Sequence, residues 1–134
     1  MERNLVIESS TANLRRVEEF LEEISLEAGI TGESYGKVLV SVMEAVNNSI
    51  THGNHSDLSK RVTILFKYES SVLSVTVTDE GKGFVPEMIP DPTSPENIEN
   101  LRGRGVFLMR RLADTIEYNH SGNSVKMSFN RSSG

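Results

Sequence analysis

Val62, Ile64, Phe66 and Tyr68 alternate along the chain, Glu69-Ser70-Ser71 intervenes, and Leu73, Val75 and Val77 alternate again. A period of two sends every second side chain to one face, so this stretch predicts an antiparallel hairpin with one apolar side. A lone hairpin is marginal in water, so that side has to be covered by another layer. Two upstream segments have the pattern to do it. Leu14, Val17, Leu21, Ile24 and Ala28 recur at helical spacing, after the candidate N-caps Ser9, Ser10, Thr11 and Asn13 and before Gly29 as a C-terminal cap. A second helix is expected from about Glu33, with Tyr35, Leu39, Val42 and Val46 as its apolar stripe and Gly53 as its end.

The flanks complete the pattern. Asn4 to Glu8 reads as a short first strand; Val106, Leu108, Met109, Leu112 and Ala113 read as a third helix opening at Gly105. Ile116 and Tyr118, a turn at His120-Ser121-Gly122-Asn123, and Val125, Met127 and Phe129 make a closing hairpin. The resulting order predicts an α+β fold, a two-layer α/β sandwich with three helices on one face of a mixed, mostly antiparallel sheet. A chain of 134 residues fits one domain, 1–134, with a core of its own. From Val85 to Arg102 periodicity stops and all four prolines fall there, the signature of a functional loop, read as a lid.

Charge and cysteine content narrow the chemistry. A net charge of -5 with no basic run argues against direct nucleic-acid binding, which needs a cationic footprint. The absence of cysteine removes disulfides, thiolate metal sites and thiol nucleophiles, and fits an intracellular, cytoplasmic address. No apolar run approaches the ~18 residues of a membrane span, so neither an anchor nor a signal peptide is expected.

Three segments have residues suited to phosphate chemistry. Glu44 and Asn48 are one turn apart on the second helix, with Thr51 a turn further, opposite the apolar stripe. A solvated polar face is the plain alternative. Against it, Glu44 has no Lys or Arg three or four residues away, and Asn47-Asn48 is a poor helix choice. As functional groups, Asn48 offers a neutral oxygen to Mg²⁺ and Glu44 a base for an attacking hydroxyl. Asp79 continues the parity of Leu73, Val75 and Val77 onto the core side and is followed by Gly81 and Gly83. It is either a turn residue or a carboxylate awaiting a donor such as an adenine amino group. Gly103 and Gly105 precede a helix where free amides favour an anion, with Arg102 and Arg104 beside them; a hinge or cap is the alternative. No Walker P-loop, complete G-x-G-x-x-G, eukaryotic kinase signature or nucleophile elbow occurs. His52 and His55 read as helix-end residues rather than a metal pair, and His120 as a turn residue.

Taken together these segments resemble the boxes of the GHKL ATPase superfamily. Glu44-Ala45-Val46-Asn47-Asn48 through Thr51-His52-Gly53 is similar to the N box, Asp79-Glu80-Gly81-Lys82-Gly83-Phe84 to the G1 box, and Gly103-Arg104-Gly105-Val106 to the G2 box. The short form with Arg102-Gly103-Arg104-Gly105-Val106-Phe107-Leu108-Met109 is similar to anti-sigma-factor serine/threonine kinases of the RsbW and SpoIIAB type. The resemblance implies the Bergerat, or histidine-kinase-like ATPase, fold and Mg-ATP as ligand. It implies Glu44 as general base, Asn48 as Mg²⁺ ligand and Asp79 as the adenine carboxylate. Gly81 and Gly83 would form the turn beside the base, Arg102, Gly103, Arg104, Gly105 and Val106 would hold phosphate, and 85–102 would be the ATP lid. Arg16 lies where the family faces its protein partners. Those partners would be a STAS-type anti-sigma-factor antagonist, phosphorylated on serine or threonine, and a sigma factor, with a homodimer as the assembly. A non-catalytic, nucleotide-dependent binding module is the alternative from a different class. Two departures stand out. The chain has no room for a phospho-acceptor helix pair, and Asn54-His55-Ser56-Asp57-Leu58 lacks the aromatic residue that often follows the N box in sporulation-type members.

Overall fold

The structure, a computed structural model, describes residues 1–81, 112–119 and 123–130. Strand β1 (Glu2–Glu8) leads through a 3₁₀ turn at Thr11–Asn13 into helix α1 (Leu14–Ala28). Ser10 caps the 3₁₀ turn, its hydroxyl accepting from the Ala12 amide at 3.2 Å. Val17, Leu21, Ile24 and Ala28 are buried, as their spacing predicts. The helix stops where Gly29 takes a left-handed φ of 72°, a conformation that costs glycine nothing.

Helix α2 (Gly32–Asn48) runs into one π turn, Ser49–Gly53, so the helical path ends at the predicted glycine. Its buried face is Val38, Ser41, Val42, Ala45 and Val46. The expected stripe faces the core, with Val42 and Val46 fully buried and Tyr35 and Leu39 packed against it half-buried, but the covered arc is wider than the stripe. The helix packs on both α1 and the sheet, so the covered arc extends to Val38 and Ala45. Burial and the nearby Glu22 and Glu18 carboxylates raise the Tyr35 phenol above its ordinary pKa.

Strands β2 (Arg61–Glu69), β3 (Val72–Thr78), β4 (Thr115–Tyr118) and β5 (Ser124–Asn130) join β1 in a five-stranded sheet ordered β1-β2-β3-β5-β4. Ile7, Val62, Ile64, Phe66, Leu73, Val75, Val77, Val125, Met127 and Phe129 form its covered face, and Phe66 meets Phe20 of α1 with ring centroids 5.5 Å apart. Two expectations change. Every pairing among the described strands is antiparallel rather than mixed, because β4 lies outside β5 and β5 therefore runs against both β3 and β4. The described residues contain two α-helices rather than three, and all of the third predicted helix but its last two residues, together with the lid at 85–102, lies outside them. Among the described residues no helix is long and apolar enough to cross a membrane.

The β2–β3 turn carries positive φ at both Ser70 (52°) and Ser71 (65°). This is the primed geometry that matches strand twist but suits Asn-Gly better than two serines. Replacing them by Asn-Gly is expected to raise stability by about 0.5–1 kcal/mol, seen as an upward shift in the thermal midpoint.

Candidate functional site

Glu44 and Asn48 sit one turn apart near the end of α2 and are both half-buried. Among the described residues the ion pairs are Arg3–Glu27 and Lys67–Glu2, so no cation neutralises Glu44 there. Beyond Asn48 the helix widens into the π turn, a feature often found where a helix serves a site. Thr51 donates back to the Asn47 carbonyl at 2.8 Å, and the Asn54 amide closes on the Ser49 carbonyl at 2.8 Å. Gly53 is thereby delivered, buried, to the end of β3.

Asp79 is waiting there. Its backbone amide donates to the Asn123 carbonyl at 2.9 Å, and its carbonyl accepts from Asn123 Nδ2 at 3.1 Å. Its carboxylate folds over the following loop, Oδ1 accepting from the Gly81 amide at 2.8 Å. It also rests directly on Gly53, where an added Cβ would lie 2.3 Å from Asp79 Oδ2 and 2.4 Å from Cγ. A Cβ on Gly81 would lie 2.0 Å from the Gly53 carbonyl oxygen. Two glycines from different elements thus meet around one carboxylate, in a space no side chain could share.

Of the sequence-predicted residues, the structure brings Asp79 and Gly81 together at the end of the helix that carries Glu44 and Asn48. Asp79 is half-buried at the margin of the face formed by Leu73, Val75 and Val77, as parity required. Arg16 is exposed on α1. Gly83, Arg102, Gly103, Arg104, Gly105, Val106 and His120 lie outside the described residues. His52 and His55 are exposed, and no group of three or more His, Cys, Asp or Glu able to hold a metal occurs among the described residues. One amide oxygen, Asn48, with a carboxylate one turn away, fits Mg²⁺, which keeps most of its waters and takes phosphate oxygens instead of a protein cage.

Sequence reasoning missed Asn54 and Asn123, and gave Gly53 a place at the helix end and in the N-box resemblance but no contact with Asp79. Asn54 is fully buried and bonded to three segments, yet a single loop asparagine has no periodicity to betray it. Asn123 was assigned only to a turn.

Comparison with known proteins places the chain in a family. The family described as histidine kinase-like ATPase domain matches residues 7–129. A serine-protein kinase RsbW of Oceanobacillus iheyensis is 31% identical over 98 residues, covering 69% of this chain and 62% of that protein. The serine-protein kinase RsbW of Listeria innocua is 30% identical over 114 residues, covering 80% of this chain and 73% of that protein. The chain thus spans under two thirds of the Oceanobacillus relative. Among solved structures, the RsbU and RsbW domains of a Mycobacterium tuberculosis protein share the fold with a TM-score of 0.71 at 13% identity, over 97% of this chain and 32% of that one.

Proposed function

The chain belongs to the histidine kinase-like ATPase family, in the GHKL branch of RsbW-type anti-sigma-factor kinases, and from that premise we propose that it is a Mg-ATP-dependent serine/threonine protein kinase. Its substrate is a small STAS-type anti-sigma-factor antagonist, and it also sequesters a sigma factor. The observation that carries this reading is the Asp79 carboxylate held between Gly53 and Gly81 at the end of the helix bearing Glu44 and Asn48.

Each residue has a distinct task. Asp79 accepts a hydrogen bond from the adenine amino group, and the two glycines leave the base room to approach. Asn48 holds Mg²⁺, which when bound neutralises phosphate charge. Glu44 accepts the proton of the attacking serine or threonine hydroxyl. Gly103 and Gly105, with Arg102, Arg104 and Val106, receive the phosphates, Gly83 completes the turn, and 85–102 forms the lid. Phosphoryl transfer asks mainly for positioning and charge neutralisation, which such a set supplies without a covalent intermediate. Arg16, exposed on α1, is the assigned contact for protein partners. The chain works as one domain, in the cytoplasm, as a homodimer.

The test is incubation with γ-labelled ATP and candidate antagonists from the same genome, followed by mapping of the label. Transfer to a serine or threonine is the expected result. Mg-ATP-strengthened capture of a regulator with no label on any antagonist would overturn the kinase in favour of a binding module. A separate expectation concerns the base. Asp79→Asn exchanges an anionic acceptor for an amide and is expected to weaken ADP binding by about 1.5–3 kcal/mol, measured by calorimetry. Unchanged affinity would remove Asp79 from the site.

A further inference from the structure

Asn54 occupies the position after Gly53 and is 0% exposed. Its side chain has two arms. Oδ1 accepts from the Glu80 amide at 2.8 Å, while Nδ2 donates to Ser9 Oγ at 2.8 Å and to the Arg61 carbonyl at 3.1 Å. Ser9 passes the chain on, donating to the Lys60 carbonyl at 2.6 Å. The partners fix the orientation of the amide, since the oxygen faces an N–H and the nitrogen faces two oxygens. The Glu80 carboxylate reaches back to accept from the Arg61 amide. One buried side chain therefore ties the end of β1, the start of β2 and the end of the π turn to the residue directly after Asp79.

We propose that Asn54 is a positioning residue for base selection, holding the 79–80 peptide so that the Asp79 carboxylate meets an adenine amino group. This rests on the nucleotide reading above and extends it to a residue outside the matched boxes. Asp79 is held on the other side by Asn123 and from below by Gly53. Among the described residues only Oδ1 holds the Glu80 amide, so without it the 79–80 peptide keeps the Asn123 bonds and the Glu80–Arg61 tether but loses the contact that sets the angle of the Asp79 carboxylate. The two arms make different demands. The Oδ1 arm acts on the site; the Nδ2 arm acts on the frame. A hydrogen bond that preorganises an acceptor should change discrimination between ligands that do and do not offer the matching donor, whereas a bond that only stabilises the fold should not.

The experiment is calorimetric titration of wild type, Asn54→Ala and Ser9→Ala with ADP and with IDP, whose base lacks the amino group. In wild type ADP is expected to bind more tightly than IDP. Asn54→Ala is expected to lose about tenfold in ADP affinity with IDP nearly unchanged, collapsing the ratio. Ser9→Ala removes a partner of the other arm and is expected to melt at a lower temperature yet keep the wild-type ratio. A folded Asn54→Ala with the wild-type ratio, or an equal collapse in both variants, overturns the proposal. Wild-type protein that does not prefer ADP sinks the nucleotide reading instead. Should Asn54→Ala not fold, hydrogen exchange on wild type puts the same question: the Glu80 amide is expected to be protected without nucleotide, and exchange at an open-loop rate overturns the clamp.

Discussion

Glu44→Gln is expected to bind ATP almost as wild type does and to transfer phosphate about 10²- to 10⁴-fold more slowly, the usual worth of a positioned general base. The substitution keeps the size of a half-buried side chain that makes no ion pair among the described residues, so little of the fold depends on its charge. What it removes is the capacity to take a proton from an attacking hydroxyl. Asn48→Ala, one turn away, should differ by losing Mg²⁺-dependent nucleotide affinity as well as rate, because an oxygen ligand disappears. Both are measured in single turnover with an antagonist that the wild type labels. A Glu44→Gln protein that transfers at the wild-type rate when chemistry is limiting would show that another group is the base.

Gly53→Ala is expected to weaken ADP binding about 10²-fold, at the upper end of what a forced contact of 1–3 kcal/mol produces. The new Cβ would lie 2.3 Å from Asp79 Oδ2 and 2.4 Å from Cγ, so the carboxylate has to leave its place. Backbone conformation is not the cause, since Gly53 has no positive φ. Gly36→Ala is the control. Gly36 lies inside α2 with open space where a Cβ would go, so alanine there is expected to add about 0.5–1 kcal/mol of stability and leave nucleotide affinity alone. Equal ADP affinity in Gly53→Ala and wild type would mean that the Asp79 position seen here is not the one that binds the base.

Glu44 and Asn48 were legible as a pair because helical geometry alone puts residues four apart on one face, whatever the helix packs against. Gly53 was legible as a stop signal and as the last residue of the N-box resemblance. Its contact with Asp79 joins a helix end to a strand end, and no local rule links the two.

The sequence by itself determined the faces. A period of two put Leu73, Val75, Val77 and Asp79 on one side of β3, and a period near 3.6 put Val17, Leu21, Ile24 and Ala28 on one side of α1, because the backbone fixes those directions residue by residue. It likewise determined the stop at Gly29, whose left-handed φ of 72° is a property of one residue. Only the tertiary structure decided the neighbours. The closing hairpin was read correctly as a hairpin, but its second strand could have lain on either edge of the sheet. That β5 sits beside β3 is what brings Asn123 to Asp79 across 44 residues of sequence. The extension of the covered arc of α2 to Val38 and Ala45 was set by the two layers it packs between rather than by its own stripe. Asn54 reaches Ser9 across 45 residues and Glu80 across 26, and a buried amide announces neither in its own segment, because which donors and acceptors it meets depends on where the rest of the chain has already gone.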